Sequence, residues 1–210
     1  MVEPRTPGPF GLKRSAPRRP VAPAAPTKKA PPGPIGVGAK SSTAPAAPSD
    51  ANLGAHIVAF AASKSGQRVG DGQCFALADQ ALRSLGARSA ADFGTVTADA
   101  DYKWGSPVAL ADVRPGDIVQ FRNFKSTRRD DAEDAGFKEF TNSRGRPNHT
   151  AIVVSVDGNG LLTVIEQNAP ENSPVHRTQL GFANTSFVRD KVTTTITTSG
   201  SVWFYRPQPK

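Results

Sequence analysis

Apolar residues follow one rhythm in the first half of the folded region and another in the second. Leu53, Ile57, Val58, Phe60 and Ala61 recur at helical spacing, with Ser49 or Asp50 placed to cap the first turn and Ser65-Gly66 to end the run. A second helical stretch takes in Phe75, Leu77, Ala78, Ala81, Leu82 and Leu85, and Gly86 suits the left-handed position that closes a helix. The chain then turns polar and loop-like, with Tyr102 and Trp104 as its large aromatics. Arg114-Pro115-Gly116-Asp117 reads as a turn that feeds a strand over Ile118-Val119-Gln120-Phe121. Further strands are predicted over 149–156, 161–167, 192–197 and 202–205. Helices first and antiparallel strands afterwards make an α+β layout.

Two segments qualify this pattern. Arg122 to Arg146 mixes charges of both signs, including Arg128-Arg129-Asp130-Asp131 and Glu133-Asp134, and reads as a solvated loop at the rim of any site. Val156-Asp157-Gly158-Asn159-Gly160-Leu161 reads as a tight hairpin, since Asp, Gly and Asn tolerate positive φ. A two-residue loop at Gly158-Asn159, or a four-residue loop around it, gives one register, in which paired residue numbers sum to 317. His149 then faces Asn168, and Ala151 faces Glu166. All four point to one face of the sheet, with His149 and Glu166 diagonal neighbours roughly 7 to 8 Å apart at Cα. A slip of one residue would put the imidazole and the carboxylate on opposite faces.

Composition divides the chain. Residues 1–50 hold twelve of its nineteen prolines and eight Lys or Arg against Glu3 and Asp50, so most of the formal charge of +8 belongs there. Such a segment buries too little apolar surface to offset its ordering entropy, and we expect a disordered basic tail with polyproline II character ahead of a folded domain at 51–210. Arg14-Ser15-Ala16-Pro17-Arg18-Arg19-Pro20 and Pro23-Ala24-Ala25-Pro26-Thr27-Lys28 match the two orientations read by proline-binding domains, which makes such a domain a candidate partner. The basic residues lack interleaved aromatics, so no specific nucleic-acid partner is expected. No apolar run reaches the roughly 18 to 20 residues of a membrane span, and no apolar leader follows Met1. The expected location is cytoplasmic, or outside the cell by export without a cleavable signal. His56, His149 and His176 lack the short ligand pairs of zinc sites, so no metal and no cofactor are expected.

One cysteine remains, and its position changes the picture. Cys74 follows the glycine-rich turn Val69-Gly70-Asp71-Gly72-Gln73 and opens the second helix, where the helix N-terminus favours thiolate over thiol. Cys74 would attack a carbonyl, and His149 would pair with the thiolate and later protonate the leaving amine. Glu166 or Asn168 would orient the imidazole, while Gln73 and the Cys74 N–H would donate to the oxyanion. Against this stand a buried inert thiol and ordinary strand polars.

Gln73-Cys74, Pro115-Gly116-Asp117-Ile118-Val119, His149-Thr150-Ala151-Ile152-Val153 and Glu166-Gln167-Asn168 together resemble the cysteine, histidine-dependent amidohydrolase/peptidase (CHAP) family of papain-like enzymes, over about residues 66–206. The resemblance implies a papain-like fold and amide cleavage, commonly in peptide or peptidoglycan, with Cys74 as nucleophile, His149 as base, and Glu166 and Asn168 as orienting residues. The run from Val69 to Cys74, with Leu77-Ala78 and Ala81-Leu82, also resembles the cysteine-proteinase-fold domain of fungal actin-patch proteins and plant hydroxyproline-rich proteins. Those relatives likewise join this domain to proline-rich sequence, and tend to carry Glu where this chain has Gln73. Two functions compete: a thiol-dependent amide hydrolase, and a noncatalytic adaptor that recruits partners through its tail. A third reading is a toxin or secreted effector exported without a cleavable signal.

Overall fold

A computed structural model describes residues 50–132 and 139–210. The expected disorder of the tail and its proline-reading partner fall on residues outside that range, apart from Asp50. Helix α1 spans Asp50–Ser63 and α2 spans Cys74–Ser84. The strands are β1 (Ser106–Val108), β2 (Ile118–Asp131), β3 (Phe140–Gly158), β4 (Leu161–Glu166), β5 (His176–Gly181), β6 (Thr185–Arg189) and β7 (Val192–Arg206). They form one antiparallel sheet in the order β1-β7-β2-β3-β4-β5, with β6 on the far part of β7. Two helices against a large antiparallel sheet is an α+β fold.

Each helix does what its spacing requires. Leu53, Ile57 and Ala61 lie four residues apart and are buried on one face of α1, and Leu77, Ala78, Ala81 and Leu82 form the buried stripe of α2. Burying Ile57 and Leu82 completely is worth about 1.5–3 kcal/mol apiece. The last turn of α2 closes as a Schellman motif, Ala87 N–H donating to Leu82 O (2.9 Å) and Gly86 N–H to Arg83 O (3.1 Å). No helix of the described residues is long and apolar enough to cross a membrane.

The sheet is apolar on both faces because the strands alternate between two cores. Ile118, Ile152 and Ile165 join the helices and Trp104 in one cluster. Val119, Phe121, Ala151, Val153 and Val164 join Leu180, Phe182 and Phe204 in another, on the opposite face. Gly116 seats α1 on this sheet. Its φ is +91°, and a Cβ there would lie 2.3 Å from Gly54 Cα. Gly116→Ala should therefore destabilise the domain by about 3 kcal/mol through backbone strain and overpacking. The measurement is the urea midpoint, and an unchanged value would show that α1 can lift from the turn at no cost.

The hairpin beside the site has the predicted register by an unpredicted route. Ile152 pairs with Ile165 and Val153 with Val164, both summing to 317 as expected. The turn, however, is Asn159-Gly160, with φ of 52° and 72° as a type I′ turn demands, and it pairs Gly158 with Leu161. Bulges at Asp157 and Val154 each shift the pairing by one residue, and together they bring it back to the expected match before it reaches the site.

The reading of residues 122–146 as a solvated loop is corrected for the described residues, 133–138 with Glu133-Asp134 lying outside them. Residues 122–131 continue β2 and residues 140–146 begin β3, paired from Asp130↔Phe140 inward, with β7 on the other side of β2. Arg128-Arg129-Asp130-Asp131 is compatible with a strand because each arginine meets the aspartate two residues on. Arg128 pairs with Asp130 at 2.9 Å and Arg129 with Asp131 at 3.1 Å, one pair on each face. Residues 192–197 and 202–205 likewise belong to one strand, β7, and the short strands β1, β5 and β6 went unpredicted.

Candidate active site

Cys74 opens α2 because the turn before it is held from both sides. Gly72 N–H donates to Val69 O (3.0 Å), and Asp71 Oδ1 accepts from Gln73 N–H (2.9 Å). Gln167, fully buried just past β4, clamps the same turn with one amide. Its Oε1 accepts from Val69 N–H (2.9 Å), and its Nε2 donates to Val69 O (3.0 Å) and Gln73 O (2.6 Å). Gln73 is the N-cap residue, so Cys74 occupies the first helical position.

His149 and Glu166 share the sheet face that carries Ala151 and Val164. Glu166 Oε2 lies 2.9 Å from His149 Nε2, which leaves Nδ1 for the thiol of Cys74, to which the ring is hydrogen-bonded. The N–H groups of Thr150 and Phe75 also reach the sulfur. Cys74 is half-buried, whereas His149 is nearly enclosed and touches Phe121 at 5.9 Å between ring centroids.

Arg146, which sequence reading left in the charged segment, proves central. Its Nε donates to Glu166 Oε2 at 2.8 Å and its Nη2 to Oε1, while Nη1 donates to Gly145 O (2.7 Å). Glu166 is 0% exposed and Arg146 5%, so this is a buried, two-pronged ion pair. His176 Nε2 stands 3.9 Å from Glu166 Oε1, and its Nδ1 donates to Pro174 O (2.9 Å). Nothing in the local pattern identifies Arg146. Its partner comes from the end of a strand twenty residues away.

Charge follows from this packing. Burial pushes Glu166 up, but hydrogen bonds from His149 and Arg146, reinforced by their charges, bring it down to about 2. Burial pushes His149 down, yet its bonds to Cys74 and Glu166 leave it raised. Burial likewise pushes the Cys74 thiol up, and the hydrogen bond and charge of His149 together with the Thr150 and Phe75 N–H groups outweigh it, so the thiol sits below its usual value. A thiolate–imidazolium pair anchored on a buried carboxylate is the state this favours.

Asn168 lies just past β4 in the left-handed region, with φ 63°. It is brought to Gln73, not to the imidazole: its Nδ2 donates to Gln73 Oε1 at 3.1 Å. The thiol opens on a cleft of about 520 Å³ lined by Asp71, Gln73, Phe75, Tyr102 and Asn148, with Val96 to Asp99 on its far wall. Phe75, Tyr102 and Trp104 pack edge-on or tilted against one another. Among the described residues, neither hydrophobic cluster includes Cys74, Gln73 or Asn168. No group of three His, Cys, Asp or Glu suited to a metal occurs among them either.

No curated protein matches this chain. A solved structure titled "The crystal structure of Ly7917" is similar at 20% identity and a TM-score of 0.41, over 69% of this chain and 61% of that one, so less than two thirds of that chain is spanned. The model of the AIM3/BBC1 cysteine proteinase-fold domain matches residues 47–210. That stretch runs from the start of α1 through the last strand, and the chain therefore belongs to the AIM3/BBC1 cysteine proteinase-fold domain family.

Proposed function

We propose that this domain is a thiol-dependent hydrolase of amide bonds. The observation that carries the reading is the unbroken line from the half-buried Cys74 through His149 to the buried Glu166. In the first step Cys74 Sγ bonds to the carbonyl carbon and the π pair moves to oxygen, where Gln73 and the N–H of Cys74 can donate. Collapse of that intermediate breaks the C–N bond, and the Nδ1 proton of His149 goes to the departing amine. Water, deprotonated by His149, then attacks the thioester and releases the acid and the thiolate. Glu166 keeps the imidazole in the required orientation throughout, in the manner of the third member of a triad. The resemblance to the CHAP family makes peptides and peptidoglycan-like amides the substrates to try first.

A second reading, a binding module with an inert site, is favoured by family membership, since these domains are typically noncatalytic. The full chain should be incubated with fluorogenic peptide amides and peptidoglycan fragments. Release of amine that falls by about 10³-fold or more in Cys74→Ala is the expected result. No release from any of them by the parent protein would overturn the hydrolase in favour of the binding module.

A further inference from the structure

We propose that Asn168 is a positioning residue that holds Gln73 with its amide nitrogen toward the Cys74 cleft, an inference that rests on the thiol-hydrolase reading above. The orientation of both amides is dictated from the backbone. Asn172 N–H can only donate, and it donates to Asn168 Oδ1 at 2.7 Å. Asn168 must therefore turn Nδ2 to its other neighbour, Gln73 Oε1, 3.1 Å away. With Oε1 so engaged, the amide nitrogen is the end of Gln73 left for the cleft it lines. A carbonyl turned the other way would repel a developing oxyanion, whereas the nitrogen can donate to it.

Asn168 is itself well held. Its N–H donates to Ser173 O (3.0 Å), the next N–H donates to Ser173 Oγ (3.0 Å), and asparagine tolerates the left-handed backbone better than most residues. The imidazole leaves it nothing to do, because both ring nitrogens already have partners in Glu166 and Cys74. Three consecutive residues thus serve three parts of the site: Glu166 the imidazole, Gln167 the turn before the thiol, and Asn168 the side chain beside it.

Two reactions of Cys74 separate this role from a general structural one. Alkylation by iodoacetamide forms a C–S bond as the C–I bond breaks and iodide leaves, with no oxyanion. Acylation by p-nitrophenyl acetate adds the thiolate to a carbonyl, places charge on its oxygen, then forms the thioester and expels p-nitrophenolate. Asn168→Gly keeps the left-handed backbone but removes the amide. Asn168→Asp leaves only acceptors, so the carboxylate would draw Gln73 Nε2 to itself and turn Oε1 into the cleft. Acylation should fall about 10-fold in Asn168→Gly and about 100-fold in Asn168→Asp. Alkylation, and its dependence on pH, should stay within about twofold of the parent, which also reports that the Cys74–His149 pair remains folded.

Equal losses in both reactions, or none in acylation, overturn the inference. So does a parent thiol that alkylates but is not acylated. The expected split without any amide turnover by the parent would instead overturn the hydrolase reading and uphold the role of Asn168.

Discussion

Arg146→Ala is expected to lower the free energy of unfolding by about 3–5 kcal/mol, because it strands a buried carboxylate. Glu166 is wholly enclosed, and Arg146 supplies two of the hydrogen bonds that let it stay ionised there. Without them only His149 opposes burial, and the Glu166 pKa should climb from about 2. Because the native value lies below the ordinary 4.5, this carboxyl adds stability that is complete above about pH 4.5 and is lost as pH falls toward 2. In Arg146→Ala this acid-side loss should shrink, so the gap between parent and variant narrows as pH falls below about 4.5. Urea midpoints from pH 3 to 7 measure both effects. Glu166→Gln should be comparably unstable from the opposite side, leaving the guanidinium uncompensated, and the double variant should show strong non-additivity. Curves that superimpose for parent and Arg146→Ala would mean the ion pair is idle.

The second large effect is on the thiol. Cys74 should alkylate along a pH profile whose inflection lies below the ordinary thiol value of 9.0. Burial is the largest single influence on this group and acts upward, so removing His149 should carry the inflection up, with only the Thr150 and Phe75 N–H groups left to oppose burial. At pH 7 the rate for His149→Ala should be at least about tenfold lower, since the thiolate fraction falls about tenfold each time the thiol pKa rises by one. Hydrolysis needs the imidazolium as well. Its profile should therefore be bell-shaped, declining on the alkaline side as pH rises through the raised pKa of His149, where alkylation does not decline. The same inflection in parent and variant would dissolve the Cys–His pair.

Both helices and the site register were legible because their apolar residues repeat at 3.6 or 2 positions, and a buried face forbids slippage. His149 and Glu166 could be aligned from that register alone, and Cys74 was marked by its place at the start of a helix. The long hairpin arm was not legible, since Arg128 and Arg129 neutralise Asp130 and Asp131 by i,i+2 contacts that a count of charges cannot distinguish from solvation. Strand β5, His176 to Gly181, is polar enough to pass for loop. Arg146 and Gln167 escaped for a different reason. Each is defined by a partner distant in sequence, a carboxylate for one and a stretch of backbone for the other, and no periodicity encodes such a meeting.

Cys74, Gln73 and Asn168 stand outside both apolar clusters, while Arg146 and Glu166 hold a buried charge that neither can relinquish alone. Drift across a lineage would act on the two groups unequally. Losing the nucleophile takes one codon and removes no member of either apolar cluster, whereas losing either half of the ion pair costs the fold about 3–5 kcal/mol. Descendants of a hydrolase built this way can fall silent and remain well-folded proteins, with the arginine and glutamate still in place as a fossil of the chemistry they once supported.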